Sequence, residues 1–418
     1  MHVRCLPRLF GAALLVALSA PTLFAQSLAT GDSRQVREPR YPQICTVLRA
    51  QFSAADRATP PATDDTARLQ AAFDTCANTG QAVLLVPTFT SNAFYAGALT
   101  MKGEALVVGW GVTLFGNNYG TKQFLNVSGN NAAILGPGTI DGRGDLISGT
   151  PRLVNAKHVE DFTVYGVTLT HAAKMHLYIE DGTNVTVWRL RVRTPANTKN
   201  TDGIDLDSVT NATVFDSILE DGDDGVAIKT NSAPAANITI RNDRFYGTHG
   251  MSIGSQTMYG VSNVLWENNQ VFGADEWGNV SSDNNGINIK SDDDCGGEVD
   301  QVTYRNTRLT GVKHLLIFNT YYGSCSGNKG IPWYHNIVVD GLRAIDSQSG
   351  AYSEFQGYNS SYPLELYLAH VNLDVTKQTG SQFANVGLDG SNVTPAGAGV
   401  TTFDFDLRHD DGHEHDSR

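Results

Sequence analysis

The chain has 418 residues, with 30 Lys and Arg against 43 Asp and Glu and a formal net charge of −13. That balance argues against nucleic acid as a partner and gives no general attraction for an anionic ligand, so an acidic substrate has to be held by local cations. Beyond the leader, no apolar run approaches the ~20 residues that a membrane-spanning helix needs, so no membrane partner is expected.

Residues 1–25 read as a secretory signal: Arg4 and Arg8 form the basic end, Phe10 to Ala20 the apolar middle, and Thr22 to Ala25 a cleavage site before Gln26. The mature chain is expected to be secreted, in the extracellular space or the periplasm. Residues 26–62 form an N-terminal extension. The stretch from Asp64 to Cys76 is the best helix in the chain, with acids at its start and Leu69, Ala72, Phe73 and Cys76 on one face.

From residue 160 a short unit recurs: Asp161-Phe-Thr-Val, Asn184-Val-Thr-Val, Asn211-Ala-Thr-Val, Asn237-Ile-Thr-Ile, Asn263-Val-Leu-Trp, Gln301-Val-Thr-Tyr and Asn336-Ile-Val-Val, at steps of 23, 27, 26, 26, 38 and 35 residues. Each unit is a β-branched or aromatic strand opened by a polar turn residue, and helical periodicity is absent. The pattern predicts an all-β solenoid, a parallel β-helix over residues 63–405, with the helix capping its N-terminal mouth. The two long steps carry extra loop, where binding surfaces grow. Residues 406–418 are a charged tail with no apolar anchor, expected to be disordered.

Once Cys5 leaves with the signal, Cys45, Cys76, Cys295 and Cys325 remain, an even number that predicts two disulfides. Neighbouring coils touch only each other, which favours Cys45 with Cys76 and Cys295 with Cys325. A zinc site is disfavoured because no C-x-x-C occurs.

Polar outliers fall on the same clock. Asn200-Thr-Asp-Gly carries Asp202, the acidic run from Glu220 to Gly225 carries Asp223 and Asp224, Gly247-Thr-His-Gly carries His249, and Gly286-Ile-Asn-Ile-Lys carries Lys290. Each motif taken singly reads as a turn, a calcium loop or a surface residue. One coil apart, residues stack at roughly the ~4.8 Å strand spacing, so the four form one polar ladder. Paired carboxylates on adjacent coils suit glycosidic hydrolysis, in which one acid protonates the leaving oxygen and another carboxylate activates water. Crowding is expected to raise the pKa of the donor. Gly222 and Gly225 are expected to re-aim one of the two adjacent aspartates through a turn or bulge.

Asn200-Thr-Asp-Gly, Gly222-Asp-Asp, Gly-x-His249-Gly and x-Ile-Lys290 resemble, in order and spacing, the four signature motifs of family 28 glycoside hydrolases, the polygalacturonases. Gly138-Thr-Ile-Asp-Gly142 and the cap helix are similar too, so the resemblance covers about residues 60 to 375. It implies a right-handed parallel β-helix and single-displacement, inverting hydrolysis of the α-linkages of pectic polysaccharide without a metal; no other cofactor is expected, and the chain is expected to be a monomer. Position by position it makes Asp223 the general acid, Asp202 and Asp224 the pair that activates water, and His249 the group that tunes the acid or the sugar contact. Asn200, Lys290 and Tyr322 become substrate contacts. Asn288, also in the substrate-binding set, stands where the family motif has Arg, so the guanidinium fork for a uronate carboxylate is missing there. A hydrolase of substituted pectin or rhamnogalacturonan, a calcium-dependent pectate lyase and a non-catalytic carbohydrate-binding β-helix remain the alternatives. The match of Gly250-Met-Ser-Ile-Gly254 to a serine-hydrolase elbow requires a strand-turn-helix context that the sequence does not predict.

Overall fold

The computed structural model describes residues 28–117, 119–324 and 330–407. The expected signal peptide, the tail from residue 408 with its histidines, and Cys325 lie outside these residues. Short strands stack with parallel pairing into long sheets, and each solenoid turn contributes about three of them. Leu177–Glu180, Thr183–Trp188 and Arg191–Arg193 form one coil, and Ile204–Asp207, Thr210–Phe215 and Ile218–Glu220 the next. Side chains alternate along each strand. Leu177, Ile204, Val226, Met251, Ile287 and Leu316 therefore share the interior, all of them fully buried, stacked by the register Leu177 to Ile204 to Val226 and Ile287 to Leu316.

The polar residue that opens each repeat has a specific conformational role. Asp161, Asn184, Asn211, Asn237, Asn263, Gln301 and Asn336 all adopt left-handed φ, between 51° at Asn336 and 58° at Asn237. Asn and Asp tolerate this region best among residues that carry a Cβ. Four of the side chains then form a ladder: Asn184 Nδ2 donates to Asp161, Asn211 to Asn184, Asn237 to Asn211 and Asn263 to Asn237, at 2.8–3.2 Å.

The helix Thr66–Cys76 packs on the first coils with Leu69, Ala72, Phe73 and Cys76 buried, the face expected from sequence. Cys45 is joined to Cys76 as expected. The domain boundary differs from the expectation of residue 63: Ile44–Arg49 pairs in parallel with Ala82–Val86, so the sheet begins at Ile44. The preceding residues run back along the coils as a strap. The Ala29 N–H donates to Thr303 Oγ1, Gly31 N–H to Asn263 Oδ1, Asp32 N–H to Thr239 Oγ1, and Tyr41 Oη to Gly136 O, at 2.7–2.9 Å. This strap carries no periodic signal, because its contacts are polar and long-range.

Candidate active site

The site is built where the chain turns into the strands Ile204–Asp207, Val226–Lys229, Met251–Ile253 and Asn285–Lys290. Asp202, Asp224 and His249 each stand two residues ahead of the in-register positions Ile204, Val226 and Met251, so they occupy successive coils of one column. Asn285 continues that column, two residues ahead of Ile287, the register partner of Met251. Lys290 belongs to a different column, five residues further on, and reaches back with its Nζ to Asp224 Oδ1 at 3.0 Å. The expected ladder of four is thus a ladder of three, closed by a side chain from two coils away.

Asp223 and Asp224 are both presented by the turn 221–225 that precedes Val226. Gly222 is required there, since a Cβ would lie 1.9 Å from Thr198 O. Asx-type bonds hold the turn: Asp223 N–H donates to Asp221 Oδ1 at 3.2 Å, and Asp224 N–H to Asp223 Oδ1 at 3.0 Å. Gly250, at φ +79°, lets the His249 turn sit against the next coil, where a Cβ would be 2.2 Å from Asn285 O.

The charges are paired in an orderly way. His249 Nδ1 lies 3.0 Å from Asp223 Oδ1, and Asn200 Nδ2 donates to Asp223 Oδ2 at 3.4 Å. Asp224 accepts from Ser252 Oγ at 2.6 Å as well as from Lys290. Asp202 lies 3.2 Å from Lys229 Nζ, which also bonds Asp205. Asp223 keeps 19% side-chain exposure, against 5% for Asp202 and 3% for Asp224, so it is the carboxylate that most faces solvent. Lys290 sits 5.0 Å from the ring centroid of the half-exposed Tyr322, a cation–π contact. Asn288 is buried and donates to Ser252 Oγ at 3.3 Å.

The effect of crowding on Asp223 is the reverse of that expected. Burial pushes its carboxyl up, but the His249 hydrogen bond and charge outweigh this and hold it below the ordinary carboxylate range. His249 is correspondingly raised: burial lowers it, and Asp223 more than compensates. Next to the site, Asp221 is raised well above the usual range by burial, and Asp205 by burial and then by Asp202. Both lie beneath the groove floor at 0% exposure. Lys229 and Lys290 are raised by their carboxylates against the opposing pull of burial.

The structure brings the site residues expected from sequence together: Asp202, Asp224 and His249 through the column, and Asn200, Asp223, Asn288, Lys290 and Tyr322 through their contacts with it or with one another; several partners were missed. Lys229, Asp205 and Ser252 carry the counter-charges and hydrogen bonds, and only strand alternation could have flagged them. Ser252 lies inside the strand Met251–Ile253 with its hydroxyl bonded to Asp224, not at a strand-to-helix elbow. Asp223, Asp224 and His249 bring ligand atoms within 4.8 Å of one another, a set that could take a cation. In this arrangement a cationic side chain, Lys290, already holds Asp224.

The model of glycosyl hydrolases family 28 matches residues 76–392. An endo-polygalacturonase of Pectobacterium carotovorum subsp. carotovorum is 32% identical, with 89% of this chain and 97% of that protein aligned. A polygalacturonase of Ralstonia solanacearum is 30% identical over 93% and 91%. The solved polygalacturonase from Erwinia carotovora ssp. carotovora superposes with a TM-score of 0.74 at 30% identity, covering 85% of this chain and 99% of the other. An endo-xylogalacturonan hydrolase from Aspergillus tubingensis shares the fold, with a TM-score of 0.61 at 18% identity.

Proposed function

The chain belongs to family 28 of the glycosyl hydrolases, and from that premise we propose that it is a secreted, monomeric polygalacturonase that cleaves the α-1,4-galacturonosyl linkages of pectin with inversion. The observation that carries the reading is the unequal pairing of three carboxylates. Asp202 and Asp224 each lie against a buried lysine, Lys229 and Lys290. Asp223 lies against an imidazole and faces solvent. A carboxylate held by a fixed ammonium stays ionised and can accept a proton, whereas a carboxylate–imidazole pair holds one mobile proton between its members.

Asp223 therefore donates that proton to the leaving glycosidic oxygen, with His249 as its reserve. Asp202 and Asp224 orient one water and take its proton as the oxygen attacks the anomeric carbon from the opposite face. The C–O bond breaks as the new one forms, and water is added across the linkage. Lys290 and Tyr322 border the side of the groove beyond the acids, and Asn200 holds the donor. Asn288 is too short to clamp a carboxylate from its buried position, so the sugar beside it is held chiefly by Lys290.

Digestion of polygalacturonate, rhamnogalacturonan and defined oligogalacturonides, with reducing ends counted, products sized and the anomer followed by NMR, tests the reading. New reducing ends on polygalacturonate, released as the β-anomer, are expected. Products absorbing in the near ultraviolet, with activity lost to EDTA and restored by calcium, would instead indicate a lyase using Asp223, Asp224 and His249 as ligands. Preferential action on rhamnogalacturonan or a substituted galacturonan would move the substrate and keep the chemistry. Binding without new reducing ends would leave a carbohydrate-binding β-helix.

A further inference from the structure

Two cations stand on aromatic rings on either side of the acids. On the C-terminal side Lys290 lies over Tyr322, and its charge is met by Asp224. On the N-terminal side the guanidinium of Arg152 lies over the ring of Tyr178, 3.4 Å from its centroid. The register of Val154 with Leu177 and of Leu177 with Ile204 places Arg152 two coils before Asp202 and in the same column, since each stands two residues ahead of its strand position.

Arg152 is half-buried and firmly placed. Its Nη1 donates to Oδ1 of the buried Asn155 at 2.8 Å, and its backbone N–H is taken by Gln123. Tyr178 is buried and anchored through its hydroxyl to Asp207, so the ring is a fixed platform. Among the described residues no carboxylate lies within ion-pair distance of Arg152, and its Nε and Nη2 have no hydrogen-bond acceptor. Lys229 and Lys290, by contrast, are each ion-paired with a carboxylate of the site. A planar fork held over a ring, with an unused edge and no internal counter-ion, matches a carboxylate.

We propose that Arg152, oriented by Tyr178 and Asn155, binds the carboxylate of a uronate unit on the N-terminal side of the cleavage point, in a subsite about two strand spacings, roughly 10 Å, from Asp202. This rests on the reading of the substrate as a galacturonan. The bound unit is not the one being cleaved, since the separation exceeds one sugar ring, so Arg152 acts on affinity and positioning along the polymer.

The test is the KM of wild type, Arg152→Met and Arg152→Lys on polygalacturonate and on a length series of oligogalacturonides. For Arg152→Met a rise of roughly 10-fold or more in KM on polygalacturonate is expected, from loss of a charge-assisted bond, with kcat within about twofold. Oligomers too short to span from the acids to Arg152 should keep their wild-type KM, a length dependence that a merely structural role would not produce. Arg152→Lys keeps the charge and loses the fork, and a several-fold rise in KM is expected. If the Met variant does not fold, a wild-type KM in the Lys variant overturns the proposal. Wild-type enzyme inert on polygalacturonate overturns the functional reading and this proposal with it. Active wild type with unchanged KM in Arg152→Met overturns this proposal alone.

Discussion

Two columns of polar side chains climb the same solenoid and are built on opposite principles. Along one, Asn184, Asn211, Asn237 and Asn263 repeat a neutral amide in left-handed φ, each donating to the residue one coil earlier, and the strap closes the end at Gly31. Along the other, Asp202, Asp224 and His249 occupy equivalent positions but do not repeat one self-pairing side chain. Neutral amides stack on their own because each carries both a donor and an acceptor. Carboxylates stack only when cations are brought in, so the second column needs Lys229 and Lys290 from neighbouring strand positions. Repetition makes the scaffold, and the site is the place where repetition is broken and each break is compensated individually.

The largest consequence of that contrast is kinetic. Asp223→Asn removes the proton donor while keeping the shape of the turn, and kcat on polygalacturonate should fall ~10²-fold or more, measured well below the unfolding transition. An equal loss from an amide-column variant would erase the distinction between the columns. Asn288→Arg tests the charged column in the other direction. Adding a guanidinium beside Lys290 should raise kcat/KM on polygalacturonate, by about 1.5 kcal/mol if one charge-assisted bond to a uronate forms. A flat or falling value, measured against a substituted galacturonan in parallel, would assign the subsite beside Asn288 to a neutral or modified sugar.

The legibility of the molecule follows the same division. The amide column was readable because the same residue type returns with the coil period, and left-handed turns favour Asn and Asp strongly enough to leave a trace in sequence. The catalytic motifs were readable as departures from that period. Lys229, Ser252 and Arg152 were not, because each is an ordinary residue on the outward side of an ordinary strand or turn, and its role depends on which side chains the neighbouring coils place beside it. The column of Lys290 was misjudged for a related reason: a sequence step equal to a coil plus an insertion does not reveal which side of the strand the insertion falls on. The direction of the Asp223 shift was missed because counting carboxylates ignores the one imidazole that touches it.

Breaking the amide column should affect stability and leave chemistry alone. Asn237→Ala deletes both ladder bonds of one rung and places a Cβ residue without a compensating amide at φ 58°. A cost of roughly 1–2 kcal/mol is expected for the left-handed backbone alone. Asn237→Gly keeps the backbone conformation at ease and loses only the bonds, so it should be the milder of the two. Urea midpoints of the pair separate the contributions, and kcat below the transition should equal wild type in both. If Ala and Gly prove equally harmful, the amide bonds rather than the backbone hold that column.

The smallest effect concerns how each column responds to pH, and it distinguishes them without reference to activity. Asp223 is held below the ordinary carboxylate range, so its pairing stabilises the fold above the unfolded value of ~3.9 and is lost as pH falls through the lower folded value. His249 is raised, so its contribution is complete below the unfolded value of ~6.5 and is lost as pH rises through the higher folded value. The two windows overlap between about pH 4 and 6.5, where the stability difference between wild type and His249→Gln should be greatest, shrinking on either side. The three central amide rungs contain no titrating group, so the cost of Asn237→Ala should stay constant over the same range. Because the proton lost at the alkaline end is the one Asp223 delivers to the leaving oxygen, the basic limb of kcat/KM should fall together with the His249-dependent stability, above the ordinary imidazole range. If the His249→Gln difference does not vary with pH, the Asp223–His249 contact is a neutral hydrogen bond, and the donor must draw its proton from elsewhere.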